Sequence, residues 1–269
     1  MYVPTVLSGD ELHVKQITRE PMPYGSVLVV DDVESNIYVA KGHLAPYGLK
    51  LDTAGSGLEA IDKIKTGNVY DIVLMDHLMP KMDGIEATKI IRDMGYQSAI
   101  VALTANAASG QADLFIRNGF DDFISKPIDN RKLNTVLNRL IRDKQSTEVL
   151  EAAEQQPEER NGQSSGNIRQ SSFDPGFVEI FLRDVNKVLA SLESLSEKDD
   201  YIDEKNMRIY IVNMLVIKSA LSSVGNMELA DVAMKLESAG REKRVETITS
   251  ETKGFIESLK AFIENIKRS

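Results

Sequence analysis

The sequence contains no cysteine. That removes disulfide frameworks, thiolate-built zinc clusters and cysteine nucleophiles from consideration, and it suits a reducing compartment. It also lacks any run approaching the roughly twenty apolar residues that a membrane-crossing helix needs. The first residues, MYVPTVLSGDELHVKQ, show no basic segment followed by an apolar one, so they do not read as a secretory signal. The expected location is cytoplasmic. Positive charge is in deficit: 32 Lys and Arg stand against 41 Asp and Glu, a formal net charge of -9. That balance disfavours a broad electrostatic grip on nucleic acid or on an anionic membrane. Histidine is scarce too, limited to His13, His43 and His77.

What is present is ordinary for a soluble globular chain, with 42% hydrophobic and 27% charged residues among 269. One or two domains are expected. Residues 1–25, with Pro4, Pro21 and Pro23, read as a lead-in or linker. From Ser26 a regular alternation begins. Val27 to Val30 is an unbroken apolar run of the kind buried on both faces of a parallel sheet, and Leu51 to Ala54, Ile72 to Met75, Ile100 to Leu103 and Phe123 to Ser125 read as further short strands. Helical spacing separates them, as in Ile37, Ala40 and Leu44, and in Leu133, Val136, Leu137 and Leu140. The pattern predicts an α/β domain over 26–142, a doubly wound five-stranded parallel sheet. Residues 143–172 are rich in Gln, Glu, Ser, Asn and Gly and predict a flexible linker. From Phe173 to Ser269 the period is helical throughout. Four apolar stripes, exemplified by Phe177, Tyr210, Leu229 and Phe255, predict an all-α antiparallel four-helix bundle.

In an open parallel sheet, reactive groups gather at the carboxyl ends of the strands. Asp31 and Asp32 follow the first predicted strand, Asp76 the third, Thr104 the fourth and Lys126 the fifth. Singly, each is common as a helix cap or a loop residue. Together they place three carboxylates, a hydroxyl and an ammonium on one edge. Crowded carboxylates repel, and a divalent cation with a preference for hard oxygen ligands, Mg²⁺, resolves that conflict. A carboxylate is also a nucleophile able to form an acyl phosphate. The segments VLVVDD, IVLMDHLMPKMDG, VALTA and FISKP, in that order, closely resemble the receiver domain of two-component response regulators. The resemblance implies that Asp76 is the phosphoacceptor. It implies that Asp31, Asp32, Asp76 and the backbone carbonyl of Leu78 hold Mg²⁺, and that Lys126 and Thr104 contact the phosphoryl group. Thr104 and Phe123 would be the switch pair. Met79-Pro80 and Gly84 fit the loop after the acceptor, and His77 is expected to have no catalytic role. The implied phosphodonor is a histidine kinase or a histidine phosphotransfer protein.

The C-terminal stretch LVIKSALSSVGNMELADVAMKLESAGRE resembles a histidine phosphotransfer domain. In that family a His stands three residues before the Lys. Here the Lys is Lys218, followed by Ser219, and the His position holds Leu215. Periodicity puts Leu215, Lys218, Ser219 and Ser222 on the side away from the buried stripe, expected to face solvent. A leucine cannot carry phosphate, so the region is expected to be a docking or regulatory module, with its own receiver, reached through the linker, as one candidate partner. No kinase core is legible. The arrangement nonetheless resembles the C-terminal part of a hybrid sensor histidine kinase, with residues 1–25 as a junction. A competing reading is an Asp- and Mg²⁺-dependent phosphatase of the haloacid-dehalogenase kind. It is disfavoured because Leu78 stands where those enzymes carry a second Asp. A transcription factor is disfavoured by the acidic chain and the bundle-like tail.

Overall fold

The computed structural model describes residues 19–104, 111–154, 175–198, 201 and 203–268. The lead-in before residue 19 and most of the expected linker, from 155 on, lie outside the described residues. Five segments form strands: β1 (Ser26–Val30), β2 (Lys50–Ala54), β3 (Ile72–Asp76), β4 (Ala99–Thr104) and β5 (Asp122–Ser125). They alternate with α1 (Glu34–Leu44), α2 (Gly57–Lys65), α3 (Gly84–Asp93), α4 (Gln111–Arg117) and α5 (Asn130–Leu140). The sheet order is β2-β1-β3-β4-β5 and every pairing is parallel. β3 and β4 are buried along their whole length, which is why their sequences carry no polar alternation. The chain leaves β1 for one edge and then returns to β3 on its other side, so a crevice opens at the ends of β1 and β3.

Two apolar layers sandwich the sheet. One contains Val27, Val29, Leu74, Val101, Leu133 and Leu137, between the sheet and helices α1 and α5. The other contains Leu28, Val30, Val73, Met75, Ile100 and Phe115, under α2, α3 and α4. Met22, ahead of β1, is fully buried in the first layer, so the end of the expected lead-in is part of the core of the α/β domain. In α4 Phe115 is buried, while Leu114 and Ile116 on either side of it are exposed. The beginning of the expected linker is also ordered locally, with a short 3₁₀ turn (Arg142–Lys144) and α6 (Thr147–Glu154).

The C-terminal region is helical: α7 (Pro175–Lys198), α8 (Glu204–Ser223), α9 (Met227–Arg241) and α10 (Val245–Arg268). Phe181, Val185, Leu192, Tyr210, Ile217 and Leu259 share one apolar cluster, and the Tyr210 hydroxyl lies 2.7 Å from the Thr252 hydroxyl inside it. At Gly240 a side chain would come within 2.7 Å of Ile211, so α8 and α9 approach through the absence of a Cβ. The cluster does not stop at these helices. Val33 of the receiver, 2% exposed, belongs to it, and Tyr38 and Val39 of α1 pack against it.

That docking corrects the sequence-based expectation for the far side of α8. Leu215, Lys218, Ser219 and Ser222 are all buried, not solvent-facing. Periodicity identifies the side of a helix that faces its own core, but not a second surface pressed against the opposite side. Here Ser219 meets receiver residues, while Lys218 is paired with Glu237 of α9 at 2.7 Å.

Candidate functional site

Strand register assembles the site. Val30 of β1 lies beside Met75 of β3, so the residues after them, Asp31 and Asp76, emerge together. Asp76 pairs in turn with Leu103 of β4, and Thr104 with Ser125 of β5. Lys126 follows Ser125 and its N–H donates to the Thr104 carbonyl at 2.6 Å. Four chain segments thus converge on one end of the sheet.

Lys126 is the hub. Its ammonium reaches Asp31 Oδ2 at 2.6 Å, Asp76 Oδ2 at 2.9 Å and Ser219 Oγ at 3.2 Å. Asp31, Asp76 and Lys126 are all buried. Burial works against the charged form of Lys126, but Asp31 and Asp76 beside it outweigh that and hold the proton more tightly than in a free lysine. Asp76 Oδ1 accepts the Leu78 N–H at 3.2 Å. Asp31 Oδ1 accepts the Val33 N–H at 3.0 Å and the Asn36 amide at 2.9 Å.

Carboxylate oxygens of Asp31, Asp32 and Asp76 all lie within 4.8 Å of one another. Against these three, Lys126 is the one cation in ion-pair contact with Asp31 or Asp76 among the described residues. The strain appears at Asp32: burial, then Asp31 and Asp76, push its carboxyl up to about 8. Burial raises Asp31 as well, with Lys126 opposing. Hard oxygen donors with an excess of negative charge are the chemistry a small divalent cation takes, its remaining positions filled by water. The residues therefore fit Mg²⁺.

The loop after Asp76 is held by close contact. Gly84 N–H donates to the His77 carbonyl at 3.1 Å. A Cβ on Gly84 would lie 2.1 Å from the Asp76 carbonyl oxygen, so only glycine fits. Lys81 in this loop has a positive φ of 72°, an uncommon conformation for a non-glycine residue that clusters at functional sites. His77 Nδ1 lies 3.8 Å from Asp76 Oδ1, beyond hydrogen-bond distance. Its Nδ1 donates to the Leu103 carbonyl at 3.0 Å, its ring packs edge-on against Phe115, and burial lowers it to about 4.

Thr104 is fully buried at the end of β4. Phe123 is half-buried, stacked with Phe115 at 6.1 Å, with the Lys132 ammonium 5.5 Å from its ring centre. The structure thus brings together Asp31, Asp32, Asp76 and Lys126, with Leu78 and Thr104 next to them and Phe123 one strand away.

Several participants were not singled out from the sequence. Asn36, buried in α1, bridges Asp31 and Ser219, its amide donating to Ser219 Oγ at 2.8 Å. Asp184 of α7 accepts the Ser35 N–H at 2.9 Å, and Arg183 pairs with Glu34. One signal was available. Val33, at the N-cap of α1, has no side-chain oxygen to cap with, so the cap must come from elsewhere.

The sequence matches the family described as "Response regulator receiver domain" over residues 27–138. It is 40% identical over 115 residues to "Two-component response regulator 24" of Arabidopsis thaliana, covering 43% of this chain and 83% of that protein. It is 43% identical over 114 residues to "Two-component response regulator ORR41" of Oryza sativa subsp. japonica, covering 41% of this chain and 90% of that protein. It is also 43% identical over 117 residues to "Osmosensing histidine protein kinase SLN1" of Saccharomyces cerevisiae, where the match covers 41% of this chain and 10% of that protein. Helices α7 to α10 lie outside the family match.

Proposed function

The chain belongs to the response regulator receiver family through residues 27–138, and on that premise we propose that Asp76 accepts a phosphoryl group from a phosphohistidine donor. The observation that carries this reading is the buried Lys126 ammonium bridging Asp31 and Asp76 at 2.6 and 2.9 Å. An Asp76 oxygen attacks phosphorus as the phosphorus–nitrogen bond of the donor breaks, and the imidazole leaves with that electron pair. Lys126 holds Asp76 in place and presents positive charge to the phosphoryl oxygens. Thr104 supplies a hydroxyl at the end of the neighbouring strand. Asp31, Asp32 and Asp76, with the Leu78 carbonyl, would hold Mg²⁺, which when bound adds positive charge against the phosphoryl group. Thr104 and Phe123 form the switch pair, whose arrangement shifts as the phosphoryl group draws on the Thr104 hydroxyl.

We read α7 to α10 as an antiparallel four-helix bundle of the histidine phosphotransfer kind that has lost its chemistry. Leu215 stands at the position of the histidine and offers no nucleophile, while Lys218 and Ser219 remain. The region then serves as a docking or regulatory module. The donor is a histidine kinase or a histidine phosphotransfer protein. Among the described residues no helix is long and apolar enough to cross a membrane, and the proposed location is cytoplasmic. A second reading, that the chain is part of a hybrid sensor histidine kinase, is favoured by its likeness to a segment of the yeast osmosensing kinase.

The test is direct. Incubation with Mg²⁺ and acetyl phosphate, followed by reductive trapping and peptide mass mapping, is expected to mark Asp76 and to leave residues 173–269 unmarked. Label persisting in Asp76→Asn, or appearing on the C-terminal helices, would overturn the assignment.

A further inference from the structure

The Lys126 ammonium has three protons to donate, and all three have acceptors: Asp31, Asp76 and Ser219. The first two are carboxylates at short distances. Ser219 is the neutral and most distant acceptor, and it is delivered by α8 from outside the receiver. A phosphoryl group on Asp76 needs one of these protons, and the bond to Ser219 is the weakest to give up. Ser219 Oγ also accepts the Asn36 amide, so α8 is seated over the acceptor, and Asp76 is only 3% exposed.

The seat extends well beyond the serine. Tyr38 of α1 packs against Phe177 of α7 with ring centres 5.7 Å apart. Val33 is buried in the C-terminal helices' own cluster. Asp184 caps α1, and Arg183 pairs with Glu34 at the rim. The contact is imperfect, since Ser35 Oγ and Asn36 Oδ1 are buried without hydrogen-bond partners among the described residues. Unsatisfied buried polar atoms weaken an interface, which fits a contact built to open.

We propose that the acceptor face of the receiver is a shared interface with two mutually exclusive occupants, the phosphodonor protein in trans and this chain's own α7–α8 face in cis, with the Ser219 hydroxyl holding the place on Lys126 that a phosphoryl oxygen takes. This rests on the reading of Asp76 as acceptor. A phosphohistidine must approach Asp76 through space that α8 fills, so the cis contact opens before transfer. The phosphoryl group then opposes its return, since it claims the proton that Ser219 used.

The cysteine-free sequence makes the test clean. Spin labels on Lys89→Cys and Lys253→Cys, exposed positions of α3 and α10, report the separation of the two halves in the full chain. One narrow distance is expected without donor. Longer, broader distances are expected with Mg²⁺ and acetyl phosphate, but not in an Asp76→Asn background. Arg183→Glu reverses the exposed pair at the rim of the contact without altering Asp31, Asp32, Asp76 or Lys126. It is expected to lengthen distances without donor and to speed labelling of Asp76 about threefold, the scale of a surface ion pair, with Glu34→Arg added to Arg183→Glu restoring both. Distances unmoved by phosphorylation, or equal labelling rates in wild type and Arg183→Glu, would overturn the cis occupant. So would the narrow distance disappearing when doubly labelled chains are diluted with unlabelled ones, which would place the contact between copies. Failure of every variant to label, with Arg183→Glu still lengthening the distance, would instead sink the acceptor reading and leave only the docking.

Discussion

Asp32 shows what the acidic cluster costs the fold. Its carboxyl is held up to about 8 by burial and by Asp31 and Asp76, against about 3.9 in an unfolded chain. Between those values the folded state binds the extra proton, so stability falls as pH rises through 8. His43 and His77 act in the opposite sense, since burial lowers both, but their contribution is complete above about pH 7. Asp52 and Asp122, held low by Lys63 and Tyr70 and by Lys132 and Arg139 against the effect of burial, act only in acid. From about pH 7 to about pH 9 the melting temperature of the metal-free protein is therefore expected to fall, with a slope that is a fraction of about 1.4 kcal/mol per pH unit. Mg²⁺ is expected to restore stability most at the alkaline end, where Asp32 has given up its proton. Thermal melts across that range with and without the metal check it, and a metal-free stability that rises with pH would contradict the protonated state of Asp32.

At the scale of elements, the loop from β3 to α3 depends on one backbone contact. Gly84 touches the Asp76 carbonyl so closely that a methyl group would sit 2.1 Å from the oxygen. Gly84→Ala is expected to cost about 2 kcal/mol or more, read from the denaturant midpoint, and to abolish labelling of Asp76 in the molecules that stay folded. Normal stability and labelling in that variant would show that the loop yields easily. Most elements were legible in the sequence for a plain reason. β1, β3 and β4 are buried on both faces, so each is an unbroken apolar run closing on its functional residue. The acids, Thr104 and Lys126 could be placed because a parallel sheet gathers strand ends at one edge. α8 was harder. Its inner stripe of Tyr210, Met214, Ile217 and Leu221 was readable, but Ser219 looks like any outward position until the receiver is set against it. Asn36 was missed for the same reason, because its partner Ser219 is 183 residues away.

For the whole molecule, the seam between receiver and C-terminal helices carries two residues whose normal place would be within their own half. Val33 sits in the core cluster of the other half. Asp184 caps a helix to which it does not belong, 149 residues from Ser35. Neither half is fully finished by itself. The consequence is thermodynamic coupling: contacts across the seam are lost when either half melts, which destabilises the other. Calorimetry of the intact chain is expected to give one cooperative endotherm. Asp184→Ala removes the cap at a cost of about 1 kcal/mol and is expected to split that endotherm into two, each half then melting at its own temperature. Two endotherms already present in the wild type would mean that the halves melt as strangers.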